Sequence, residues 1–126
     1  MRTNAPIYKK MLFKGAVNSI KVVEDEGLLI ACSASGAIAV LGAPHFDEIL
    51  TINAKDMVFY VEEAFGTILA GTAKGNVLSY DLHTGEPLFG YGVQKKGGCR
   101  LLGLNEDKTR LVCAGEDESA TLLRFK

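Results

Sequence analysis

Apolar residues come in short blocks along this chain, each closed by Gly, Asp, Asn or Lys. Three segments align: GLLIACSASGAIAVL from Gly27, GTILAGTAKGNVLSYDL from Gly66 and TRLVCAGEDESATLLRF from Thr109. Each is an apolar run, a small polar turn and a second apolar run. The turns fall at Gly36, Gly75 and Glu118, spaced by 39 and 43 residues. Two further blocks precede each aligned pair. The nearer ones are VNSIKVVED, DMVFYVEEA and CRLLGLNED; the farther ones are IYKKMLFKG, DEILTINAK and EPLFGYGVQ. Blocks this short, rich in Ile, Val, Leu, Phe and Tyr, predict strands. The runs LLIACSA and TILAGTA are almost continuously apolar, which predicts burial on both faces. A helix across LLIACSASGAIAV would carry Gly36 in its interior, where glycine costs about 1 kcal/mol relative to alanine.

A period near 40 residues with four strands per unit is that of a β-propeller blade. The expected fold is therefore all-β: a single domain over residues 1–126, with repeats at about 7–42, 47–82 and 86–125. Composition fits a globular chain, with 48% hydrophobic and 23% charged residues and a formal net charge of -1. So balanced a charge offers no argument for nucleic acid or an anionic membrane. No apolar run reaches the length of a membrane span, and MRTNAPIYKKMLFKG lacks the apolar core of a signal peptide. The chain is expected to be cytoplasmic. Cys32, Cys99 and Cys113 are odd in number and lie inside apolar runs, so buried reduced thiols are expected rather than a disulfide framework or a zinc site.

The stretch from Gly66 to Tyr91, GTILAGTAKGNVLSYDLHTGEPLFGY, resembles the WD-repeat family. Tyr80-Asp81 stands where that family usually has Trp-Asp, and His83-Thr84-Gly85 matches the turn that follows. The other two repeats end in Val40-Leu41-Gly42 and Arg124-Phe125, without the dipeptide, and the chain has no Trp. The family's Gly-His pair is also missing, and the turn aspartate survives only as Asp117. The resemblance implies strands labelled a to d from the centre outward, so that the chain runs d-abc three times. It implies that an N-terminal strand around Tyr8 to Phe13 completes the final blade. It also implies a platform for protein–protein interaction.

Three blades do not close a ring, since propellers typically have four to eight. An open arc would expose two apolar broad faces. Either two chains complete a six-bladed ring as a homodimer, or the chain is a fragment of a larger propeller.

The strand assignment sorts charges onto two rims. Lys14, Lys55, Lys74, Lys95, Lys96 and Arg100 fall together on one, diluted by Asp56, Glu116, Asp117 and Glu118, and the six basic residues are the candidate partner-binding residues. Glu24, Asp25, Glu26, Asp47, Glu48, Glu62, Glu63, Glu86, Glu106 and Asp107 gather on the other. The segment 94–98, with two lysines and two glycines, is expected to be the most mobile loop. His45 and His83 fall in turns, and no His-x-x-x-His, Cys-x-x-Cys or phosphate-loop spacing occurs. The pairs Glu62-Glu63 and Glu106-Asp107 read as solvated turns rather than acid–base machinery. Neither catalysis, nor a metal, nor a cofactor is expected. The expected function is a non-catalytic scaffold for protein partners. The alternative is a phosphate- or nucleic-acid-binding module using the basic rim, although no basic–aromatic interleaving supports nucleic acid.

Overall fold

The computed structural model describes Phe13 and residues 15–94, 96–117 and 119–124. Among these, the chain is all-β apart from one short 3₁₀ turn at Glu24–Glu26. Three antiparallel sheets follow one another. The first holds β1 (Val17–Val23), β2 (Leu28–Ser33), β3 (Ala37–Gly42) and β4 (Asp47–Asn53). The second holds β5 (Val58–Ala64), β6 (Thr67–Thr72), β7 (Asn76–Asp81) and β8 (Pro87–Gly92). The third holds β9 (Cys99–Leu104), β10 (Arg110–Gly115) and β11 (Ala120–Arg124). Within each sheet, the strands pair in sequence order among the described residues. The fourth strand expected for the third sheet, around Tyr8 to Phe13, lies outside the described residues except for Phe13, which is not in a strand.

The strands form where the apolar blocks predict them, and the turns follow from local chemistry. Gly36 (φ 91°) and Gly75 (φ 86°) take left-handed backbone in the β2–β3 and β6–β7 turns. A side chain there would strain the backbone and run into Asp56 and Gln94 respectively. Asp81 closes the β7–β8 turn, its Oδ1 accepting from the backbone N–H of His83 at 2.8 Å and of Thr84 at 2.9 Å. Those two donors, Thr84 first, hold the Asp81 carboxyl below its usual range. Tyr80 turns into the core. The Tyr-Asp dipeptide thus divides its work between core packing and turn closure.

Two apolar seams join the sheets. In the first seam Ile30, Cys32, Ile38 and Val40 of the first sheet meet Val61, Ile68, Ala70 and Tyr80 of the second. In the other, Leu69 and Val77 of the second sheet meet Leu102, Leu111 and Cys113 of the third. The second sheet is therefore apolar on both sides, as its continuous run TILAGT requires. Polar threads cross the seams as well. Asn18 Nδ2 donates to the Val58 carbonyl at 2.9 Å, and Lys21 pairs with Glu62 at 3.6 Å. All three cysteines are free and buried. Burial pushes the Cys32 thiol up to about 12, so it stays protonated at neutral pH. No helix among the described residues is long and apolar enough to cross a membrane.

Candidate functional site

The loops gather at two rims, as the sequence assignment expects. On one rim the β2–β3, β4–β5, β6–β7, β8–β9 and β10–β11 connections bond to one another. Ala54 N donates to Gly36 O at 2.8 Å, Lys74 N to Asp56 Oδ2 at 2.9 Å, Val93 N to Gly75 O at 2.9 Å and Glu116 N to Gly98 O at 3.2 Å. Lys55, Lys74 and Lys96 are exposed there. Lys14 and Lys95 lie outside the described residues. Arg100 reaches the same rim, but its guanidinium lies 4.2 Å from the centroid of the Phe59 ring, and its Nε bonds Glu116 Oε1 at 3.1 Å. Glu116 also accepts from Gly98 N at 3.1 Å; that backbone donor first, and Arg100 second, hold its carboxyl below the usual range. Arg100 is thus committed to fastening its own loop. Gln94 differs from the mobile loop expected of it: it is buried, accepts from Asp117 N at 3.1 Å and donates to Ser119 O at 3.4 Å.

The opposite rim is shaped by the remaining connections. A cleft of about 550 Å³ opens there, walled by all three sheets. The 3₁₀ turn supplies Asp25 and Glu26, the β5–β6 turn supplies Phe65, and the β7–β8 turn supplies His83. The β9–β10 loop supplies Glu106, Asp107 and Lys108. That loop is tied to itself: Arg110 N donates to Asn105 Oδ1 at 2.7 Å, and Asp107 Oδ1 accepts from Thr109 Oγ1 at 2.6 Å and from Thr109 N at 3.1 Å. The Thr109 hydroxyl, then its N–H, keep the Asp107 carboxyl below its usual range, and Glu106 is presented exposed beside it.

Phe65 stands out at this rim. Ala64 and Thr67 pair across a two-residue turn in which Phe65 (φ 52°) and Gly66 (φ 79°) are both left-handed. Turns of that kind favour Asn-Gly or Asp-Gly. A phenylalanine there carries backbone strain of about 1 kcal/mol, and the residue is 75% exposed. Beneath it, Glu63 corrects the sequence reading of a solvated loop carboxylate. It lies in β5, is buried, accepts from Gly66 N at 2.9 Å and pairs with Lys108 Nζ at 3.2 Å. It ties the turn to the third sheet. His83 Nε2 lies 2.6 Å from Glu26 Oε1, linking the first and second sheets, and that contact raises the His83 pKa above its ordinary value. Phe65 had no signal as a periodic apolar residue; the oddity of Phe-Gly in a hairpin turn was the available clue.

No protein-family model matches the chain, and no curated protein does. Among solved structures, it is similar to the computationally designed Ika8 protein, with a TM-score of 0.74 at 13% identity. The similarity covers 86% of this chain and 33% of that one, so the chain spans about a third of that protein's length. At this identity the likeness concerns the fold alone.

Proposed function

We propose that the chain is a non-catalytic, WD-repeat-type β-propeller scaffold that docks a protein partner in the cleft around Phe65. On this reading the three sheets are blades, and the ring is completed by further blades from a second chain or from more of the same protein. The observation that carries the binding reading is Phe65 itself. A bulky ring is held out to solvent, in a turn whose backbone prefers Asn, on the wall of a cleft of about 550 Å³. Folding gains little from such a choice, whereas aromatic side chains are enriched at protein interfaces. The carboxylates of Asp25, Glu26, Glu106 and Asp107 around it select a basic segment with an apolar residue to cover the ring. Charge of this sort governs partner choice and association rate, and the ring supplies the contact that holds.

The test is a fluorescence titration with a peptide that combines several Arg or Lys residues with one Leu. Binding is expected to weaken at least about tenfold, or 1.4 kcal/mol, in Phe65→Ala and in the double variant Glu106→Lys, Asp107→Lys. It is expected to hold in the double variant Lys74→Glu, Lys96→Glu. The opposite ranking would move the docking face to the basic rim. Equal binding by all variants would remove the cleft reading.

A further inference from the structure

We infer that the outer edge of β8 is a second docking surface, which takes an extended, uncharged segment of a protein partner as an added strand. β8 closes the second sheet on the side opposite β5. The surface shares no lining residue with the Phe65 cleft and does not rest on the reading of that cleft.

Among the described residues, six strands lie at sheet edges: β1, β4, β5, β8, β9 and β11. Five of them carry charge, through Lys21, Glu48, Glu62, Arg100 and Arg124. Charge at an edge deters a further strand from pairing there. β8, with the sequence PLFGYG, has none, and Val93 and Gln94 extend the uncharged stretch. Pro87 stands at its first position and removes no donor from the rest of the strand.

Hydrogen bonds fix which backbone groups this edge presents. Phe89 N donates inward to Ser79 Oγ at 3.1 Å, and Val93 N donates inward to Gly75 O at 2.9 Å. Successive residues of an antiparallel strand aim their backbone groups to opposite sides. Gly90 and Gly92 therefore aim theirs outward. Both are exposed, and neither has a side chain to screen its N–H and C=O.

An apolar hollow of about 230 Å³ lies beside these groups, lined by Leu78, Tyr80, Leu88 and Phe89 with Gly90. Gly90 pairs with Leu78, and a Cβ on it would lie 3.0 Å from Leu78 Cδ2, so the missing side chain keeps the hollow open. Leu88 and Tyr91, each 52% exposed, extend the apolar surface along the strand. In strand addition the paired backbones supply affinity, and side chains seated in pockets supply selectivity. The hollow also decides the occupant. A second β8, paired antiparallel through its own outward groups, brings Gly90 and Gly92 to the hollow's side, and glycine offers little to fill it. A partner segment with Val, Leu or Phe at that place fills it. Since β8 has no charge to answer one, the segment is uncharged where it pairs.

Amide exchange followed by NMR tests this, using capped peptides that alternate Thr with Val, Leu or Phe. Binding is expected to slow exchange at Gly90 and Gly92 and to leave Phe89, already bonded inward, little changed. Gly92→Pro removes one outward donor and spares the ladder to β7; its Cβ has room, with Asn76 Oδ1 3.6 Å away. Affinity is expected to fall at least about tenfold in that variant. Leu88→Lys, which gives β8 the charge that the other edges have, is expected to weaken binding likewise. Far-UV circular dichroism checks both folds, and either folded variant alone is decisive. Unslowed glycines with every peptide overturn the inference, as does parental affinity in a folded variant. So do glycines already protected in the free chain together with a two-chain mass by light scattering, since β8 would then be meeting a second copy.

Discussion

A single aromatic residue carries most of what is unusual here. Phe65 holds left-handed backbone that asparagine adopts more readily, so Phe65→Asn should relieve strain. We expect a stability gain of up to about 1 kcal/mol in urea unfolding, together with loss of peptide binding. A variant less stable than the parent would show that the ring packs in the folded state despite its exposure. The other residues of the cleft divide into those facing solvent and those fastening the walls. Glu63 belongs to the second kind, with Gly66 and Lys108 as its partners. Sequence alone placed Glu63 on the correct rim but not in the interior. Two adjacent glutamates give no sign of which will turn inward, and only the arrival of Lys108 from another sheet, 45 residues away, makes burial of the carboxylate affordable.

The seams show how the elements differ within their common plan. At the position of Cys32 in β2, β6 has Gly71. A Cβ at Gly71 would come within 2.7 Å of the Cys99 carbonyl oxygen, so β9 lies closer to β6 than a larger residue would permit. Gly71→Ala should therefore cost about 2 kcal/mol by overpacking, read as a lower urea midpoint with an unchanged m-value. A neutral result would mean that the seam yields readily. The rim contact between His83 and Glu26 predicts a pH effect. Folding raises the His83 pKa above its ordinary 6.5, so the pair stabilises the fold fully below that pH and loses this contribution as pH rises through the folded-state value. The stability gap between the parent and Glu26→Gln should be widest near pH 6 and narrow toward pH 8. A gap independent of pH would break the assignment, as would a His83 titration by NMR that Glu26→Gln leaves in place. Twelve strands could be read from the apolar blocks, because each block is short and bounded by turn residues; eleven are present among the described residues, and the first, around Tyr8 to Phe13, lies outside them except for Phe13. The rim contacts could not, because the Glu26–His83 contact joins residues 57 positions apart and depends on how neighbouring sheets are set.

At the level of the whole molecule, the sequence gives the repeat and the sorting of charge, and it expects binding at the basic rim. The structure places Lys55, Lys74, Lys96 and Arg100 on one rim together with Asp56 and Glu116, and it engages Arg100 in its own loop, which the sequence did not indicate. The acidic rim holds a walled cleft, and no property of the linear chain foretells that concavity. Among the described residues, the all-β class and its three sheets are established by the structure.

The sheet order has a kinetic consequence. Since the described strands of each sheet pair in sequence order, they come together through short loops, and little chain entropy is lost before their hydrogen bonds form. Any of the three can nucleate before the others. The middle sheet, flanked on both sides, is then the last to open, and amide exchange should be slowest along β6.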